Sequence, residues 1–168
     1  MTPLQISKKV EYDWRHGLLL VDVSDPQNVG AIVRTAAFFA CDRLFLGGNC
    51  APLSPLVSKA SAGALEYYHP QIRQVPKVGA FLDILKPEGY KIVATGTSSE
   101  KETVNLSADK TLVILGNEGD GLRQSILDRC NRTVCIPGSP SAASLGLDSL
   151  NVSVTAALIL ATMKGIKI

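Results

Sequence analysis

A short polar segment runs directly into an apolar one at residues 25–40, and two of its side chains could do chemistry. Asn28 offers an amide at the predicted start of a helix, where it could also serve only as the N-cap. In residues 29–40 the only polar side chains are Arg34 and Thr35. A helix that is apolar nearly all round is expected to be buried, so Arg34 should need an acidic partner, carbonyl groups or a bound phosphate. An ion pair within the chain, or a guanidinium that reaches the surface, would explain Arg34 equally well.

Three glycines fall within six residues at the end of a predicted buried strand, in Gly116-Asn-Glu-Gly-Asp-Gly121. Glycine lets the backbone approach a ligand closely or turn with a positive φ. The segment is not a phosphate-binding P-loop, because no Gly-Lys-Ser/Thr follows, and its spacing is not the GxGxxG of dinucleotide sites. Taken alone, it predicts a tight strand-to-helix turn in which Glu118 or Asp120 favours the N-terminus of the next helix.

A third segment, residues 135–154, joins a predicted strand to the last predicted helix. Residues 138–146 are so rich in Ser, Pro and Gly that we expect no regular element there. Ser149 or Asn151 can then cap the helix that follows. That helix is apolar on nearly every face, which favours burial in the core and leaves open that one side packs on a second subunit.

The elements that must position these segments can be read from the apolar pattern. Strands are predicted at residues 17–23, 42–48, 90–95, 111–116 and 132–137, and helices at 28–40, 55–65 with Ser54 as N-cap, 78–85, 121–129 and 150–164. Continuously apolar strands that alternate with helices are typical of a mainly parallel α/β sheet. Ligands of such sheets bind beyond the carboxyl ends of the strands, so we expect residues 24–28, 116–121 and 137–149 to carry the site.

Composition narrows the class of protein. The 168 residues are 46% apolar and 19% charged, which predicts one globular domain, and a net charge of only +2 supports a nucleic-acid partner weakly. The four cysteines and two histidines show no metal-ligand spacing, so we expect no metal and a reducing compartment, with Cys41 and Cys135 as small core residues. No export signal is recognisable, and the longest apolar stretch is about half of what a bilayer requires, so we expect no membrane partner.

In their order along the chain, the three segments resemble the three motifs of the SpoU–TrmH family of the SPOUT methyltransferases. The matching residues are Asn28-x-Gly30 followed by Arg34-Thr-Ala, then Gly116-Asn-Glu-Gly-x-Gly-Leu122, then Ile136-Pro137 with Ser149-Leu-Asn-Val-Ser-Val154. The resemblance runs from about Leu18 to Met163. Residues 55–64 and 146–151 are most similar to the mitochondrial and bacterial rRNA guanosine 2′-O-methyltransferase branch. Most relatives have a shorter loop before Ser-Leu-Asn, so contacts from residues 138–148 are not carried over.

The resemblance implies a fold, a cofactor and an assembly. The fold is α/β, a mainly parallel sheet flanked by helices with a C-terminal trefoil knot, and the assembly is a homodimer with its active site at the interface. The chain would divide into an N-terminal extension, residues 1–16, and a catalytic domain, residues 17–168. The implied cofactor is S-adenosylmethionine, and the matching positions that would bind it are Thr95, Gly96, Gly116, Asn117, Ile136 and Leu150.

The implied reaction is methylation of a ribose 2′-hydroxyl in RNA, foremost a guanosine of large-subunit rRNA. The family's catalytic motif residues correspond to Asn28, Arg34, Glu118, Ser149 and Asn151. In relatives the corresponding arginine has been assigned as the general base, but a guanidinium keeps its proton because its pKa is above about 12. We therefore expect Arg34 to grip a phosphate and stabilise the emerging alkoxide while the proton leaves through phosphate or water. Glu118 is expected to hold Arg34 or Asn28 in place.

Three other functions stay open. A tRNA ribose methyltransferase would catalyse the same reaction. A non-catalytic RNA-binding module is a second alternative, but it would not need Asn28, Arg34 and Asn151. A Rossmann-type nucleotide enzyme is the third, but it would need the GxGxxG motif that this sequence lacks. Relatives in the rRNA branch carry an extra N-terminal RNA-binding domain. With sixteen residues before the first strand and little net charge, this chain alone is expected to bind RNA weakly. The resemblance favours the mitochondrial matrix, with the cytoplasm as the alternative.

Overall fold

Strands and helices alternate along the chain in the computed structural model, which describes residues 13–96 and 105–167. The described elements are β1 (His16–Val21), α1 (Pro26–Phe38), β2 (Arg43–Gly47), α2 (Pro55–Ala60), α3 (Ala64–Tyr68), β3 (Ile72–Val75), α4 (Val78–Leu85), β4 (Lys91–Thr95), β5 (Thr111–Leu115), α5 (Gln124–Leu127), β6 (Arg132–Val134), α6 (Pro140–Ser144) and α7 (Val152–Met163). A 3₁₀ turn, His69–Gln71, joins α3 to β3. The first twelve residues of the predicted N-terminal extension lie outside the described residues.

One parallel sheet holds all six described strands in the order β3-β2-β1-β5-β4-β6. The central strands β1 and β5 are buried at every residue, which is why their sequences are apolar without alternation. Because all the strands point the same way, the loops after β1, β4, β5 and β6 meet at one edge. The predicted α/β class with a mainly parallel, helix-flanked sheet is confirmed, whereas the trefoil knot stays a prediction.

Helices cover both faces of the sheet. On one face Leu18 and Leu20 of β1 belong to a core with residues of α1 and α7, among them Ile32 and Leu160. On the other face Leu19 belongs to a core with residues of α4 and α5. Trp14 is also part of this second core, with its ring 4.0 Å from that of Tyr90. Trp14 lies within the predicted extension, but its side chain packs with the sheet; the division into extension and domain stays a prediction.

Strand β3 was not predicted from the sequence. It has only four residues and lies at the edge of the sheet, with Ile72 and Val75 buried and the two residues between them more exposed. Such a short strand shows too little apolar pattern to be distinguished from a loop.

Two other predictions about helices were also wrong. The helix expected at residues 55–65 is interrupted by Ala62 and Gly63, whose positive φ angles separate α2 from α3. Residues 138–146 were expected to hold no regular element, but α6 forms there because the Ser139 side chain accepts a hydrogen bond from the Ala142 amide and a proline follows it.

Helix α1 begins two residues earlier than predicted. Asp25 is its N-cap, since its Oδ1 accepts a hydrogen bond from the Gln27 amide at 2.8 Å, and Pro26 occupies the first turn. Asn28 is therefore not the cap, and its side chain is available for another contact. The helix packs closely on α2, because a Cβ at Gly30 would lie 2.4 Å from that of Ala60. The glycine of the first motif thus serves helix packing rather than a ligand.

Candidate active site

A cleft of about 220 Å³ opens at the carboxyl edge of the sheet, between the ends of β4, β5 and β6 and the start of α7. The six residues predicted to bind the cofactor all line it: Thr95, Gly96, Gly116, Asn117, Ile136 and Leu150. Glu118 and Ser149, predicted as catalytic, line it as well. The fold thus brings the second and third motifs together around one cleft, whereas Asn28, Arg34 and Asn151 are not among its lining residues.

The loop after β5 doubles back on itself to form one wall of the cleft. Asn117 and Gly121 pair as an isolated antiparallel bridge, and Gly121 has a φ of 65°. A Cβ at Gly116 would lie 2.8 Å from the carbonyl carbon of Gly121, so only glycine permits this return. The Asn117 Oδ1 accepts hydrogen bonds from the amides of Gly119 and Asp120 and so shapes the loop from within.

The lining suits a nucleoside-containing ligand such as the implied cofactor. Aliphatic side chains from two segments, Val134 and Ile136 from one and Leu150 from the other, can face an adenine ring, and the glycine-rich loop brings backbone polar groups alongside them. The Thr95 hydroxyl donates to the Ile114 carbonyl at 3.0 Å, which fixes the end of β4 against β5. The described residues of the lining include carboxylates and neutral polar side chains beside the apolar ones, but neither lysine nor arginine, which fits S-adenosylmethionine better than a phosphate-rich ligand.

Sequence reasoning missed part of the lining. Cys135 was expected in the core, but it is half-buried and faces the cleft between Val134 and Ile136. Thr155 and Ile159 of α7 also line the cleft. Their spacing of four and eight residues from Asn151 places all three on one helix face, which could have predicted them.

The carboxylate of Glu118 lies at the start of α7. Its Oε1 accepts a hydrogen bond from the Val152 amide at 2.7 Å, while Asn151, the predicted N-cap, accepts from the Ser153 amide at 2.9 Å. The expectation that Glu118 holds Arg34 or Asn28 was wrong. Amides in the first turn of a helix have no partner within the helix and lie at its positive end, so they bind a nearby carboxylate.

Asn28 and Asn151 join the first motif to the third. The Asn151 Nδ2 donates to the Asn28 Oδ1 at 3.1 Å across 123 residues of sequence. Because Asn151 directly follows the cleft residue Leu150, this bond fixes the start of α1 next to the cleft. Three of the five predicted catalytic residues, Asn28, Glu118 and Asn151, therefore meet through hydrogen bonds at the N-terminus of α7, and Ser149 lies two residues before Asn151.

Arg34 lies on the exposed side of α1, where the expectation of a buried helix was wrong. The buried residues of α1 are Val29, Gly30, Ile32, Val33 and Ala36. Arg34 is exposed, and so is Phe38, at 81% of its full area. In the described part of the chain no hydrogen bond or ion pair engages the Arg34 guanidinium. It can therefore meet an anion that comes from outside the chain.

An apolar surface continues from the third motif along α7. We call it the α7 surface; its members, each at least 44% exposed, are Leu145, Leu147, Leu150, Val154 and Leu158. Leu160 of the same helix, in contrast, is wholly buried in the core. With twelve residues, α7 is long enough for one row of its side chains to face the sheet and another to face outward. The sequence could not distinguish the two rows because nearly all of these side chains are apolar.

Within residues 13–96 and 105–167, no helix has the length and apolarity needed to cross a bilayer. No group of three or more His, Cys, Asp and Glu side chains in them is placed to hold a metal ion.

Known proteins share both the sequence and the architecture. A protein from Dictyostelium discoideum named "rRNA methyltransferase 1, mitochondrial" is 37% identical over 154 residues, which cover 87% of this chain and 28% of the relative. The crystal structure of an RNA 2′-O ribose methyltransferase has 30% identity and a TM-score of 0.74, over 88% of this chain and 54% of the other. AviRb from Streptomyces viridochromogenes, solved in complex with AdoMet, has 27% identity and a TM-score of 0.74, over 93% and 58%.

Membership of a family follows from the extent of the match. The chain spans less than half the length of each of three curated mitochondrial relatives, from Dictyostelium, Schizosaccharomyces pombe and Homo sapiens. The model of the SpoU rRNA Methylase family matches residues 16–161, from the start of β1 almost to the end of α7. Because this match contains all three motifs and the whole cleft, the chain belongs to the SpoU rRNA methylase family.

Proposed function

We propose that this chain transfers a methyl group from S-adenosylmethionine to a ribose 2′-hydroxyl of RNA, and that rRNA is its substrate. The observation that carries the proposal is the convergence of the three motifs: the second and third line the cleft, and the Asn28–Asn151 bond joins the first to them. The mitochondrial rRNA methyltransferase names of the relatives support the substrate class. The similarity to a ribose 2′-O-methyltransferase supports the position of the methyl group.

S-adenosylmethionine supplies an activated methyl group when it is bound. In the proposal the chain holds it through the apolar side chains of Ile136 and Leu150 and through the backbone at Thr95, Gly96, Gly116 and Asn117. Glu118 maintains the cleft by holding the first amide of α7, and is a positioning residue rather than a base. A site that supplies shape and backbone groups fits a reaction in which close positioning accounts for much of the rate.

The proposed role of Arg34 is electrostatic. An exposed guanidinium that has no partner among the described residues can bind a phosphate of the RNA and stabilise negative charge as the 2′-hydroxyl loses its proton. The proton then passes to that phosphate or to water, since a guanidinium does not accept one. Asn28 and Asn151 fix the start of α1 near the cleft, and Ser149 at the rim is proposed to orient the ribose.

The test is methyl transfer from labelled S-adenosylmethionine to purified rRNA and tRNA, with digestion of the product by alkali. A ribose methyl group protects the neighbouring phosphodiester, because it removes the 2′-hydroxyl that alkali activates, so label in alkali-resistant dinucleotides is the expected result. Label confined to mononucleotides would contradict ribose methylation. Label in tRNA but not in rRNA would support the proposed reaction but would show that tRNA, not rRNA, is the substrate.

We further propose that two copies form a dimer through the α7 surface. Val154 and Leu158 are four residues apart and so lie on one side of α7, and three more exposed leucines precede them in the chain; exposed aliphatic side chains in such density are typical of surfaces that partner chains cover. Light scattering of the unmodified chain is expected to give twice the 17.9 kDa of one chain. Leu158→Lys should give monomers, because it places a charge on the α7 surface, whereas Leu56→Lys, at an exposed position on α2, should leave the dimer intact. A monomer of the unmodified chain at micromolar concentration would refute the proposal.

The relatives' names also support a mitochondrial location, and within mitochondria we propose the matrix, where rRNA is made. We retain residues 17–168 as the proposed catalytic domain and the trefoil knot as its proposed topology. Tagging the chain in cells and fractionating the mitochondria would test the location.

A further inference from the structure

Asp22 adopts an unusual backbone conformation at the carboxyl edge of the sheet. It directly follows β1 and has a φ of 58°, in the left-handed region that few residues other than glycine occupy. Aspartate and asparagine tolerate this region better than other side chains, because a short polar side chain can bond locally. Asp22 lies three residues before Asp25, the N-cap of α1, so its conformation sets where α1 starts.

The carboxylate of Asp22 connects two other loops. Its Oδ1 accepts a hydrogen bond from the Asn49 amide at 2.8 Å, in the loop after β2. Its Oδ2 lies 3.5 Å from the Arg123 Nη2, in the loop after β5. The Asp22 amide donates to the Gly47 carbonyl at 3.1 Å, which fixes the residue itself on the sheet.

Arg123 stands where the cleft loop ends. It is the residue before α5 and lies two positions after Gly121, whereas the other end of the loop is continuous with β5. The Asp22–Arg123 pair therefore joins the strand that leads to α1 with the far end of the loop that lines the cleft. The side chain of Arg123 is 74% exposed and that of Asp22 only 20%, so a largely buried carboxylate, itself hydrogen-bonded, holds a solvent-exposed cation.

We propose that Asp22 is a positioning residue that holds the cleft loop in place through Arg123, and that this pair tunes the affinity for S-adenosylmethionine. The inference rests on the proposed function. When the pair is broken, the loop keeps its attachment to β5 and its internal bridge but loses its tie to β1. Ligand binding must then order the loop, which lowers affinity without unfolding the protein.

The test is calorimetric titration of the full chain with S-adenosylmethionine. Arg123→Ala is expected to weaken binding roughly two- to five-fold, the range for a single ion pair whose cation is mostly exposed. Asp22→Asn should weaken it equally, because asparagine keeps the Oδ1 acceptor and tolerates the backbone. The double variant should be no weaker than either single one. Arg123→Lys should recover most of the affinity, and melting temperatures should stay close to that of the unmodified chain.

Salt and a matched control separate this role from a general structural one. Raising the salt concentration from about 50 to about 500 mM should lower the affinity of the unmodified chain for S-adenosylmethionine toward that of Arg123→Ala. The affinity of the variant, which lacks the ion pair, should change less. Arg129→Ala, which removes the Arg129–Asp83 pair on the other side of α5, should bind like the unmodified chain. Equal affinity of Arg123→Ala and the unmodified chain, or additive losses of affinity in the double variant, would overturn this inference but not the proposed function. Absence of binding by the unmodified chain would overturn the proposed function as well.

Discussion

Arg34→Ala is expected to slow methyl transfer at least about a hundredfold while the affinity for S-adenosylmethionine changes less than about threefold. The residue lies on the exposed side of α1 and outside the cleft, so its removal should leave cofactor binding intact. No described contact within the chain depends on its guanidinium, so the melting temperature should also be unchanged. The rate falls because the developing alkoxide loses its nearest proposed cation.

The measurement is single-turnover methylation at saturating cofactor, with calorimetry on the same preparations. Arg34→Lys keeps the charge but not the planar pair of donors, so it should recover only part of the rate. Activity of Arg34→Ala at a tenth or more of the unmodified enzyme would exclude the proposed role. A parallel loss of cofactor affinity would place Arg34 in the binding site instead.

Gly116→Ala should abolish detectable cofactor binding, with a loss of at least about a hundredfold, and methyl transfer with it. The added methyl group would lie 2.8 and 2.9 Å from the backbone carbon and oxygen of Gly121. Backbone atoms on a bridged loop cannot move aside as a flexible side chain can, so the loop must open and the wall of the cleft is lost.

Gly138→Ala is the matched control for this substitution. A Cβ there meets its nearest neighbour at 3.9 Å, an ordinary contact, so binding should be unchanged. Equilibrium dialysis with labelled cofactor would measure both variants, and circular dichroism would show whether each is folded. A folded Gly116→Ala that binds within tenfold of the unmodified chain would show that the loop tolerates opening.

The sequence was sufficient to place the cleft because its determinants are local. Continuous apolar runs such as that of β1 identify buried parallel strands, and the residues after such strands must meet at one edge of the sheet. The glycines at positions 116 and 121 likewise indicate a backbone that turns back on itself. The family resemblance then supplied the chemical roles, which pattern alone left open.

Partners across long sequence separations could not be predicted. Nothing near Glu118 indicates that its carboxylate bonds to Val152, because that pairing depends on where the last helix begins in space. The exposure of Arg34 was missed for a related reason. Alanines and a phenylalanine make α1 apolar all round, yet the described residues cover only the sides of α1 that meet the sheet and the neighbouring helices, and the side of Arg34 and Phe38 stays exposed. The role of Asp22 could not be predicted either, because an aspartate with a positive φ cannot be distinguished in the sequence from any other aspartate.

The strand order has a consequence for how the chain is made. β1 pairs with β2 soon after it is synthesised, but its other edge waits for β5, about 90 residues further along the chain. At roughly 5–20 residues per second, an apolar strand edge stays open for about 5 to 20 s. An unpaired apolar edge is prone to pair with other chains. The nascent protein is therefore exposed to such pairing until β5 closes the centre of the sheet.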